Sequence, residues 1–177
     1  ARRDRALLEV LYGTGARISE VCALGLGDVD VAGGLLRLFG KGSKERVVPL
    51  GRWARVALSA WLADEGRGAV APEQFARRGD ADAVFLNARG GRLGRQGAWG
   101  VVHKYGEVAG IADRLSPHVL RHSCATHMLD HGADIRAVQE LLGHASISTT
   151  QVYTMVSNER LFAVYDEAHP RARVSRS

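Results

Sequence analysis

The sequence predicts an α+β domain, mostly helical, with one small antiparallel β-sheet. Apolar residues recur at helical spacing through most of the chain. Short runs rich in Val and Leu cluster between residues 29 and 50, and the last two flank Gly40-Lys41-Gly42-Ser43-Lys44-Glu45, a loop suited to a hairpin. With 177 residues, 46% of them hydrophobic, the chain has room for one ordinary domain with a real core.

Arg2 to Tyr12 carries Ala6, Leu7, Val10 and Leu11 on one helical face, and Gly13 and Gly15 punctuate its end. Ile18 to Leu26 reads as a second short helix. Val29 to Val31, Leu35 to Phe39 and Arg46 to Leu50 read as strands. Arg52 to Glu65 is helical, with Trp53, Val56, Leu58 and Trp61 available to the core. Gly66 to Ala83 combines Gly, Pro72 and mixed charge without a period, so it is expected to be a surface loop. Arg95 to Ala109 is helical. Ser116-Pro117 caps and starts a helix running to about His131, with Gly132 after it. Asp134 caps another that ends at Gly143, and Ser148 is placed to cap a short helix bearing Tyr153. Asn158 to Ala168 is the last helix, and a basic tail follows.

The formal charge of +5 and the pI near 9.7 point to a polyanionic partner, nucleic acid first among them. Cys22 and Cys124 form no metal-ligand spacing and suit a reducing cytosol. No apolar stretch approaches the ~18 residues of a membrane span, and no signal peptide opens the chain, so a soluble cytoplasmic protein is expected. Among the 24 basic residues only Lys41, Lys44 and Lys104 are lysines, and two of them fall in the hairpin loop. An amine there can give up a proton, which a guanidinium does not readily do.

The segment from Ser116 to Thr154 orders His118-x-x-Arg121, then Leu141-Leu142-Gly143-His144, then Thr149-Thr150-Gln151-Val152-Tyr153. Such groups suit attack on a phosphodiester, whose non-bridging oxygens gain charge that planar, bidentate donors hold well. Arg17, at the junction of two helices, fits the same task, with Glu20 as the group that orients it. Each of these residues also has a plain reading. Arg17 and Glu20 make a local i,i+3 ion pair on a solvated face, and His118 and Arg121 decorate a helix surface. His144 caps a helix end, and Tyr153 is one more tyrosine. His118 with His122 and His127 with His131 have i,i+4 spacing, but no third ligand is evident and no metal is expected.

Taken in order, these motifs resemble the tyrosine recombinase (integrase) family, most closely its bacterial Xer-type members, from about Leu11 to Pro170. The resemblance implies a tyrosine-recombinase-like catalytic domain over residues 1–170, with 171–177 as a basic tail. In Xer-type proteins a further amino-terminal helical domain closes over DNA, so the chain resembles a carboxy-terminal catalytic portion. The resemblance further implies Tyr153 as nucleophile, forming a 3′-phosphotyrosyl link to double-stranded DNA and freeing a 5′ hydroxyl. Arg17, His118, Arg121 and His144 would hold the scissile phosphate. Lys41, rather than Lys44, matches the lysine that protonates the leaving hydroxyl. No cofactor is implied, because the covalent link conserves the bond energy.

Lys44, Arg46, Arg95 and Gln96 are expected to contact DNA. The family acts as a tetramer on paired sites, and the Xer-like wording of residues 115–122 and His169-Pro170-Arg171-Ala172 suggests resolution of chromosome dimers. A phage or mobile-element integrase, a type IB topoisomerase, a metal-dependent nuclease and a non-catalytic DNA-binding module are the rival readings. The apolar side of the terminal helix can dock on its own domain, which is the plain reading. In Xer-type proteins, however, the carboxy-terminal segment docks on a neighbouring subunit. Removal of residues from Asn158 onward is therefore expected to leave a folded, DNA-binding domain with altered cleavage and lost cooperative assembly on paired sites.

Overall fold

The structure is a computed structural model that describes residues 1–143 and 155–173. The helix and sheet content is as expected: mostly helical, with a three-stranded antiparallel sheet in the order β1-β2-β3. The elements are α1 (Arg2–Thr14), α2 (Ile18–Cys22), β1 (Val29–Asp30), β2 (Leu35–Phe39), β3 (Glu45–Pro49), α3 (Arg52–Leu62), α4 (Arg95–Val108), α5 (Pro117–Asp130), α6 (Ile135–Leu142) and α7 (Met155–Ala168). The β2–β3 register pairs Leu36 with Val48 and Phe39 with Glu45, which puts Lys41 and Lys44 at the hairpin tip.

Local chemistry accounts for the helix ends. Ser116 Oγ accepts from the Val119 amide at 3.2 Å, with Pro117 at the first helical position of α5. Asp134 Oδ1 accepts from the Ala137 amide at 2.7 Å and starts α6. Gly15 (φ 64°) and Gly143 (φ 69°) close α1 and α6 in the left-handed conformation.

Several expectations change in detail. α2 stops at Cys22 instead of Leu26, because the chain turns to pair with residues 82–84: the Val84 amide donates to the Leu24 carbonyl at 3.0 Å, and the Leu26 amide to the Asp82 carbonyl at 2.8 Å. α3 ends at Leu62, and a π-type turn over Asp64–Gly68 follows. Val56 on α3 is exposed, whereas Leu58 and Trp61 are buried. Ala83, expected to end a surface loop, is buried instead, and with Val84–Leu86, unassigned by the sequence, it belongs to the core. Trp61 Nε1 donates to the Val84 carbonyl at 2.9 Å and ties that segment to α3.

α7 takes the plain one of its two readings. Leu161, Tyr165 and Ala168 are buried, and the Tyr165 hydroxyl donates to the Gly13 carbonyl at the end of α1. The tail assignment changes too, since Ala172 is buried and its carbonyl accepts from the Arg52 amide at 3.2 Å. Arg171 pairs with Glu9 at 3.3 Å. The segment therefore docks on its own domain, and its removal would take core residues with it.

His169 locks this docking. The Arg171 amide donates to its Nδ1 at 3.0 Å, leaving Nε2–H to face the Tyr12 carbonyl at 3.3 Å, and the ring stacks on Tyr165 with centroids 4.7 Å apart. Both nitrogens suit the neutral tautomer. Burial pushes the imidazole down to about 4, with the Tyr12 carbonyl opposing and His127, Arg171 and His131 adding repulsion. The unfolded state, near its ordinary 6.5, therefore binds the proton first. Stability is expected to be full above pH ~6.5 and to fall by roughly 3 kcal/mol as pH drops through ~4. Urea midpoints between pH 7 and 4 check this: His169→Gln should flatten the profile, and an unchanged profile in that variant would refute it.

Candidate active site

The site forms where the end of α1, the start of α2, β3, the second turn of α5 and the end of α6 meet. Gly15 permits the approach. A Cβ there would lie 2.5 Å from Leu142 Cδ2 and 3.2 Å from Cys124 Sγ, so α1 can end against α5 and α6 only without a side chain. Two residues on, Arg17 occupies the extended N-cap of α2, with its side chain 45% exposed.

Glu20 organises the arginines. It is buried, and its Oε1 accepts from Arg17 Nη1 at 3.0 Å while its Oε2 accepts from Arg46 Nη1 at 2.5 Å. Arg121 completes the group from α5. Its Nη1 donates to the Gly15 carbonyl at 2.6 Å and its Nη2 to the Leu142 carbonyl at 2.8 Å. Arg46 Nε donates to the neighbouring Leu141 carbonyl at 3.0 Å, so two guanidinium groups satisfy the last carbonyls of α6.

Charge is out of balance there. Burial, then repulsion from Arg17 and Arg46, pushes the Arg121 guanidinium down to about 10, against the pull of Glu20. It stays protonated at neutral pH. Three guanidinium groups share one carboxylate, and a bound anion would relieve their repulsion.

Of the residues singled out by sequence, Arg17, Arg46 and Arg121 converge. His118 lies one helical turn before Arg121 and is exposed. Lys41 and Lys44 are exposed on the hairpin loop, where Gly42 and Ser43 take positive φ and the Gly40 amide closes the loop onto the Lys44 carbonyl at 2.8 Å. Arg95 and Gln96 are exposed in the first turn of α4, beside a groove lined in part by Ser19, Arg77, Arg89 and Arg95. His144 and Tyr153 lie outside the described residues.

Arg46 differs from its expected place. Grouped with Lys44 as a DNA contact, it is buried inside the arginine cluster. The signal was in the strand alternation, since Arg46 shares a face of β3 with Val48. Among the described residues no group of three or more His, Cys, Asp and Glu could hold a metal, and no helix is long and apolar enough to cross a membrane. Burial raises the Cys22 thiol to about 11 and the Cys124 thiol to about 12, which makes both poor nucleophiles.

Residues 1–160 match the model of the phage integrase family. The chain belongs to that family, the tyrosine recombinases. Its similarity to tyrosine recombinase XerD of Mycobacterium tuberculosis (strain ATCC 25618 / H37Rv) is 56% identity over 172 residues, covering 97% of this chain and 53% of the relative. Among solved structures, a XerA recombinase superposes with a TM-score of 0.72 at 31% identity, covering 92% of this chain and 58% of that one. XerH bound to its difH substrate in a pre-cleavage complex gives a TM-score of 0.68 at 30% identity, covering 93% of this chain and 46% of that one. The chain thus spans about half the length of the curated relatives it matches.

Proposed function

We propose that this chain is the catalytic domain of a site-specific DNA recombinase. Tyr153 attacks a backbone phosphate, forming a 3′-phosphotyrosyl bond as the bond to the 5′ oxygen breaks. Arg17, Arg121, His118 and His144 hold the charge that gathers on the non-bridging oxygens, and Lys41 gives its proton to the departing 5′ oxygen. A 5′ hydroxyl, from the same or a partner duplex, then attacks the phosphotyrosine and releases the enzyme. The observation that carries this reading is the Arg17–Arg46–Arg121 cluster around Glu20, an anion site with excess positive charge built into the fold.

The substrate is a double-stranded recombination site, in line with the DNA-bound XerH neighbour. Chromosome dimer resolution by a tetramer on paired sites fits the XerD relative best, with a phage or mobile-element integrase as the nearest alternative. Residues 1–170 form the catalytic unit, extended by the packed Arg171–Arg173. The test is a nicked duplex from which the short cleaved strand diffuses away. A denaturation-resistant protein–DNA adduct, formed equally with and without chelator, supports the reading. Binding without an adduct would indicate a non-catalytic module, and cleavage lost in chelator a metal-dependent nuclease.

Lys41→Ala is expected to slow cleavage by ~10²–10⁴-fold. A substrate with sulfur at the 5′-bridging position should restore much of that rate, because a thiolate leaves without a proton. Rescue in Lys44→Ala but not in Lys41→Ala would transfer the role to Lys44. DNA binding itself is expected to weaken steeply with salt as the phosphate contacts of Lys44 and Arg95 release counterions, with Gln96 as an uncharged contact beside them. Affinity that stays constant between ~50 and ~200 mM salt would contradict this.

A further inference from the structure

We propose that Arg46 is a positioning residue for the phosphoryl transfer: a buried strut that, through Glu20, sets Arg17 for the scissile phosphate. The inference rests on the reading above. Its side chain is only 8% exposed, and it comes from β3, the strand that leaves the Lys41 loop. It bridges two elements, donating to Glu20 on α2 and to the Leu141 carbonyl at the end of α6. Its Nη2 is buried without a hydrogen-bond partner among the described residues.

The fold keeps space for this guanidinium. A Cβ on Gly143 would come within 2.9 Å of Arg46 Cδ and 3.0 Å of its Nε and Nη1, so a glycine stands where α6 ends. Glu20 divides its carboxylate, one oxygen to Arg17 and one to Arg46. A carboxylate buried this deeply needs both oxygens partnered, and the two arginines partner them. Without Arg46, both Glu20 oxygens would turn to Arg17 and draw it into a closed, bidentate pair. Arg17 would then offer less to a phosphate, and the cluster would lose one positive charge. Arg46 thus acts on the reaction without touching DNA.

The experiment compares single-turnover cleavage by the full chain on two nicked duplexes. One carries an ordinary scissile phosphate and the other a neutral methylphosphonate, which needs less positive charge around it. Arg46→Met should slow the ordinary substrate by roughly ten- to a hundredfold, below the loss typical for removal of a direct donor. The defect should shrink several-fold on the methylphosphonate, as it should for Arg17→Ala. Arg46→Lys keeps the charge and one contact, so an intermediate defect with the same sensitivity is expected, and it serves if Arg46→Met melts below the assay temperature. Equal slowing on both substrates in the folded variants would mean a purely structural role and overturn the inference. No cleavage of either duplex by the wild-type chain would sink the underlying recombinase reading first, a result distinct from failure of the Arg46 variants alone.

Discussion

Tyr153→Phe is expected to abolish the covalent adduct while leaving DNA affinity within a few-fold, because it removes only the attacking oxygen. A phenol titrates near 10, so the nucleophile needs cationic neighbours that favour its phenolate. Each of the other tyrosines is otherwise engaged. The Tyr165 hydroxyl is buried, donates to the Gly13 carbonyl, and is held well above its usual range, first by burial. Tyr12 Oη lies 2.8 Å from His127 Nδ1, and burial raises its phenol as well. Tyr105 lies on α4 with the Lys104 ammonium 5.3 Å from its ring centroid. None of the three touches the arginine cluster in any hydrogen bond or ion pair of the described residues. Single-turnover assays on the nicked duplex, with binding measured in parallel, check the prediction.

Removal of residues from Asn158 onward is expected to destroy the cooperative fold, reversing what the chain's resemblance to Xer-type proteins suggests. The cut would delete Leu161, Tyr165, Ala168, His169 and Ala172, all buried, and expose the faces of α1 and α5 that they cover. Tyr165→Ala alone should cost about 3–5 kcal/mol, a large share of the ~5–15 kcal/mol that holds a typical domain together. Tyr165→Phe isolates the hydrogen bond, and leaving the Gly13 carbonyl without its donor should cost about 1–3 kcal/mol. Denaturant unfolding of the three variants is the measurement. A truncated chain that melts cooperatively near the wild-type temperature would contradict the cis docking of α7.

Periodicity made the helices legible, and the Gly-rich loop between apolar runs made the hairpin legible, because those signals are local. The Ala83–Leu86 core segment was not legible. Its burial depends on Trp61 and on the turn after α2, contacts far apart in sequence. In the site, the Arg17–Glu20 pair could be read from its i,i+3 spacing, whereas the company of Arg121 was implied only by the family resemblance. That Glu20 would also hold Arg46 could not, since 26 residues separate them and only the closure of the sheet against α2 joins them. The choice between cis docking of α7 and docking on a neighbour was open for the same reason: an apolar helix face states that it needs a partner, not which one.

The central claim, that this fold cleaves DNA by covalent attack of Tyr153, is tested most directly by locating the bond. The wild-type chain would be trapped on a nicked duplex and digested with protease, and the DNA-linked peptide identified by mass spectrometry. The expected result is one peptide containing Tyr153, joined through the 3′ phosphate of the cleaved strand. A link to Tyr12, Tyr105 or Tyr165, or one through a 5′ phosphate, would contradict it.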